Sequence, residues 1–246
     1  MTSSTRPPQP TADELAAVRA LVTAARTVVL GFDGTLCRLY DPVTARAATD
    51  SLTRLLREHG VRAQEEPGRP PARPAAGADA RRPRRRPRAP HRALDSLLTD
   101  SELTATLTAR PALYADNLVR TWSAVGTRLA VATGHSADAV HAHLEGRGLT
   151  GCFGPHVYGR TGGLAHLGHD APPRALAALG ADPAEALVVG FTPEELRAAR
   201  DAGAPFRGYA RDLAAYDRLR AAGAPLVTGT LEPVRQAVWE LNLPRR

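Results

Sequence analysis

Three short apolar runs, each closed by a glycine-bearing turn, set what this chain can fold into. They are Thr27–Leu30 before Gly31-Phe32-Asp33-Gly34, Leu129–Ala132 before Thr133-Gly134, and Ala186–Val189 before Gly190. Runs this short and almost wholly apolar read as strands buried on both faces of a parallel sheet. Strands are expected at 27–32, 128–132, 186–190 and 205–209. Helical periodicity fills the spaces between, at 111–125, 136–146, 172–179, 193–202, 211–222 and 231–241. Thr11 and Glu14 frame a capping box that opens an earlier helix running to about Ala25. Strands alternating with helices specify an α/β fold, a three-layer Rossmann-like parallel sheet. At 246 residues the chain has room for that core and an insertion.

The turns carry the chemistry. Side chains two apart on a strand leave the same face, and at the carboxyl end of a parallel sheet they enter the crevice where α/β folds bind ligands. The tetrad Asp33-Gly34-Thr35-Leu36 resembles the first motif of the haloacid dehalogenase superfamily, Asp-x-Asp-Gly-Thr, whose first Asp attacks phosphorus while the second serves as general acid and base. Thr133-Gly134 resembles the second motif, whose hydroxyl holds the transferring phosphoryl group. Residues 183–203, PAEALVVGFTPEELRAARDAG, resemble the fourth. The resemblance implies a Mg²⁺-dependent phosphatase scaffold acting on a small phosphate ester. Asp33 and Thr133 then become the catalytic candidates, Thr133 and Gly134 the phosphate-binding pair, and Asp33 and Glu195 the metal ligands.

The departures fall on the charged positions. Gly31 stands where the resemblance places the nucleophile, and Phe191 stands where it places a Mg²⁺-binding Asp; neither offers the oxygen a hard cation wants. Counting back fourteen residues from Gly180, the expected lysine position is His166, and the chain contains no lysine at all. Arg160 or Arg174 could lend charge, though a planar fork is not a compact ammonium. Thr192-Pro193-Glu194-Glu195 also forms a complete capping box, which accounts for Glu195 without a metal. Loss of a covalent nucleophile commonly costs on the order of 10⁴ to 10⁶ in rate. The reading is therefore an impaired or inactive relative of the phosphatases. Two rivals stand beside it: a residual enzyme working through Asp33 and Thr133, and a non-catalytic protein binding a phosphate metabolite or a polyanion.

Domain boundaries follow from the insertion. A tail at 1–10 is expected to be disordered, with core at 11–38 and 117–246. A degenerate helical cap at 39–116 occupies the place of the substrate-selecting cap of phosphoglycolate-phosphatase-like relatives. Apolar periodicity marks two cap helices, at 42–59 and 94–107. Between them residues 64–93 form an Arg/Pro-rich stretch expected to be disordered. Residues 67–93 hold nine Arg against one Asp, so +8 of the net +7 lies there and the other 219 residues sum to −1. With no Leu, Ile, Val or aromatic side chain this run cannot build a core. It suits weak, sequence-independent contact with polyanions.

Two cysteines, Cys37 and Cys152, and no secretory signal suit reduced thiols in a cytoplasmic, monomeric protein with no membrane span. Cys37, just past the first motif, reads as a packing residue. Histidines 135, 141, 143, 156, 166 and 169 do not make a metal site: His141 and His143 point apart on a helix, and His166 and His169 read as solvated loop residues.

Overall fold

The computed structural model describes residues 6–58, 89–161 and 170–241. A six-stranded, all-parallel sheet forms its centre, built from β1 (Thr27–Leu30), β4 (Arg128–Ala132), β5 (Val157–Tyr158), β6 (Ala186–Gly190), β7 (Phe206–Tyr209) and β8 (Val227–Thr228) in the order β5-β4-β1-β6-β7-β8. β1 sits in the middle because it is buried from end to end: Val28, Val29 and Leu30 are at most 1% exposed. Alternation sends Val28 and Leu30 to one face and Val29 to the other. The first face packs against α1 (Ala12–Ala24), α4 (Ala115–Ala124), α5 (Ala137–Gly146) and α10 (Glu232–Leu241). The second packs against α7 (Ala171–Ala178), α8 (Pro193–Asp201) and α9 (Leu213–Ala221). A four-residue α6 (Thr150–Phe153) leads into β5.

The insertion leaves the core through a two-stranded antiparallel ribbon, β2 (Cys37–Arg38) with β3 (Arg110–Pro111), and consists of α2 (Pro42–Glu58) and α3 (Ala89–Thr106), which pack on each other. Both cap helices expected from periodicity are present. The Arg/Pro stretch is corrected at its end: residues 89–93 belong to α3, since Pro90 falls in the first helical turn, where a missing N–H is no loss. The rest of that stretch, 64–88, lies outside the described residues, as does His166.

Two further corrections concern local order. The helix expected at 111–125 begins only at Ala115, because Pro111 pairs with Cys37 across the ribbon and Tyr114 takes a left-handed φ of 71°. The tail is ordered over 6–10: Pro7 is buried against Gly229, where a β-carbon would come within 3.0 Å of the proline ring. A proline gives up little conformational freedom when it packs, and a glycine partner leaves room for it. The capping box at Thr11 and Glu14 is present. Among the described residues no helix is long and apolar enough to cross a membrane.

Candidate functional site

The loop after β1 is wound tightly. Gly31 N–H still donates to Val189 O on β6 at 2.9 Å, and Gly34 then takes φ +84° so that Phe32 O can accept from Leu36 N–H. Asp33 is fixed within this turn, its Oδ1 accepting from Leu39 N–H at 2.9 Å. Cys37 is fully buried beside it, and burial together with the Asp33 charge pushes its thiol far above the ordinary range. It packs and does not react.

Glu195 occupies the space that Gly31 leaves open. A β-carbon at residue 31 would sit 2.3 Å from Glu195 Oε1 and 3.0 Å from Thr35 Oγ1. The other carboxylate oxygen, Oε2, is saturated by the start of α8: it accepts from Phe191 N–H at 2.7 Å, Thr192 N–H at 2.9 Å and Thr192 Oγ1–H at 3.1 Å. Burial raises the pKa of Glu195, opposed by these donors. Phe191 closes the other side. A β-carbon on Gly34 would lie 2.4 Å from the Phe191 ring, and the Arg211 guanidinium stands 5.0 Å over that ring.

Thr133, nearly buried at the end of β4, accepts from His135 N–H at 3.2 Å. The next residues are held from the insertion. Glu102 of α3, 3% exposed, accepts from Ser136 N–H at 2.7 Å and from Arg160 Nη1–H at 2.8 Å, and its Oε1 lies 3.1 Å from His135 Nδ1. Arg160 also donates to Asp95 Oδ1 at 2.6 Å and to Gly134 O at 3.1 Å. Burial alone would raise the Glu102 pKa, but the hydrogen bonds from His135 and Arg160 outweigh it and hold the carboxylate below its ordinary range. Over this floor α2 and α3 border an open cleft of about 440 Å³ walled by Tyr40, Thr49, Leu52 and Leu98.

Of the residues singled out in the sequence, Gly31, Asp33, Phe191 and Glu195 come together at the ends of β1 and β6. Thr133 and Gly134 sit on the neighbouring strand end. Arg160 is spent on Glu102 and Asp95, and Arg174 on Gly159 O and Asp170, so neither supplies free charge to the crevice. His135, on the loop after β4, is paired to Glu102 and meets Phe32 edge-on at 5.9 Å. Glu102 gave no sign in the sequence, because its partners lie 33 to 58 residues away.

The solved structures place this architecture. A haloacid dehalogenase-like hydrolase from Streptococcus pneumoniae superposes with a TM-score of 0.58 at 14% identity, over 89% of this chain and 99% of its own. A HAD family hydrolase from Deinococcus radiodurans R1, solved with bound phosphate and sodium, gives 0.55 at 20% identity over 89% and 97%. A HAD-superfamily hydrolase from Ehrlichia chaffeensis gives 0.51 at 15% over 89% and 98%. The chain has the haloacid dehalogenase hydrolase fold, as its motifs led one to expect. No protein-family model and no curated protein matches the sequence.

The donor set does not suit Mg²⁺, which asks for several oxygens in octahedral array. Phe191 offers none, Asp33 and Glu195 each have one oxygen taken up by N–H donors, and among the described residues no three His, Cys, Asp or Glu side chains converge.

Proposed function

We propose that this protein is a binding protein on a phosphatase fold, without Mg²⁺-dependent phosphohydrolase activity. The reading rests on one observation above all: the place of the attacking carboxylate is filled by Glu195, a side chain folded back to cap its own helix. Restoring an aspartate there is thus more than a change of one residue, since the incoming β-carbon meets an oxygen already present. A nucleophile needs an unobstructed line to phosphorus, and Glu195 fills the space through which a side chain at residue 31 would leave the backbone.

The purified chain with Mg²⁺ is expected to hydrolyse neither p-nitrophenyl phosphate nor a panel of sugar and glycolate phosphates above background, and titration calorimetry is expected to register no Mg²⁺ uptake. Turnover near 1 s⁻¹, an ordinary enzyme value, would overturn the reading. If Asp33→Asn abolished that turnover, the residual-enzyme alternative would take its place.

A further inference from the structure

Beside the filled crevice lies a second, basic cleft. It runs from the β2–β3 ribbon across the carboxyl ends of β7 and β8, as two adjoining cavities of about 460 and 440 Å³ that share Leu113, Tyr209, Arg211 and Gly229. Its polar end is lined by Arg38, Arg110 and Arg211. Arg38 and Arg110 are paired directly across the antiparallel ribbon, and like charges in that position repel. Arg211 has its Nη1 buried with no hydrogen-bond partner among the described residues. Among those residues none of the three arginines forms an ion pair, while the acids nearby are engaged: Asp212 caps α9 and Glu232 holds Arg235. Tyr114, a bulky residue held at φ 71°, lines the other end, and the exposed Leu113 between the two extends its apolar wall. Left-handed backbone at such a residue persists only where its surroundings enforce it.

We propose that this cleft binds a small organic polyanion, its charged groups held by Arg38, Arg110 and Arg211 and its apolar part against Leu113 and Tyr114. An anion seated between the opposed arginines relieves their repulsion, with Arg211 lining the same end of the cleft. Guanidinium forks match phosphate and carboxylate oxygens in geometry as well as charge. The inference adds a ligand to the binding role proposed above but concerns a different cleft, so hydrolysis assays and binding assays fail independently.

Titration calorimetry on the full chain with pyrophosphate and with citrate tests it. At least one anion is expected to bind, and the tighter of the two tells whether phosphate or carboxylate is preferred. Arg211→Gln, and separately the pair Arg38→Gln with Arg110→Gln, should each weaken binding about tenfold or more, the effect of losing one charge-assisted contact. Arg38 and Arg110 are exposed, so the pair tests the site even if Arg211→Gln fails to fold. A variant with Arg81, Arg82, Arg84, Arg85, Arg86 and Arg88 changed to Gln should bind as the parent does. No binding of either anion, unchanged binding in the Arg38/Arg110 pair, or loss of binding in the Arg81–Arg88 variant would each overturn the proposal.

Discussion

Two residues show how much of this molecule is decided by single side chains. Gly31→Asp is expected to destabilise by about 1–3 kcal/mol, the usual effect of overpacking, because its β-carbon meets Glu195 Oε1. In a Glu195→Ala background the penalty should shrink by about 1 kcal/mol or more, as residues in contact couple. Denaturant melts of the four members of that cycle check it, and simple additivity would mean the two positions do not meet. Arg207, on β7, is the opposite case: a fully buried cation with no carboxylate partner among the described residues. Nη2 donates to Thr228 Oγ1 and to Thr230 O, but Nε and Nη1 find no partner among the described residues, and burial drags its pKa down to about 9. Arg207→Met should raise stability by about 1–3 kcal/mol, read as a higher urea midpoint at unchanged slope. A folded pKa below the unfolded value means the charged form is the one penalised, so the gain from the substitution should fade as pH rises past 9.

At the scale of elements, α3 is held to the core by Glu102 and Arg160, each at most 3% exposed. Glu102→Ala leaves Arg160 with the half-exposed Asp95 as its one remaining carboxylate partner among the described residues and is expected to cost about 3–5 kcal/mol. Since the folded pKa of Glu102 is depressed, its contribution is present above the ordinary glutamate value of 4.5 and is lost as pH falls through the folded value. The parent should therefore lose stability in acid more steeply than Glu102→Gln, which circular dichroism melts at stepped pH would register. None of this pairing was legible beforehand, whereas β1, β4 and β6 were, to within two residues. A buried apolar run announces itself locally; a carboxylate that reaches across 33 residues to a strand-end loop does not. The two-residue strands β2, β3, β5 and β8 also escaped, being too short to show any period. The filled crevice was half legible: the missing carboxylate at Gly31 and the capping box at Glu195 could both be read, but not that the second occupies the space of the first.

For the whole molecule, the arginines fall into two separate groups. Nine arginines between 67 and 93 form one cluster in the sequence, and Arg38, Arg110 and Arg211 form another in the fold. Replacing residues 67–88 by a Gly/Ser segment of equal length should move the melting temperature by no more than about 2 °C, because that stretch holds no Leu, Ile, Val or aromatic side chain to bury. The same replacement should remove weak, salt-sensitive nucleic-acid binding while leaving pyrophosphate uptake intact. A fall of several degrees would show that the stretch packs on the core. The packing of Glu195 into the hollow beside Gly31 has a historical side as well. In any lineage where the glycine came first and the glutamate settled into the gap, the way back is closed to single steps: regaining the aspartate alone passes through a clashing, less stable protein with no activity to reward it. A fold in that position works as a ratchet, its surface open to change while a carboxylate at residue 31 stays out of single-step reach.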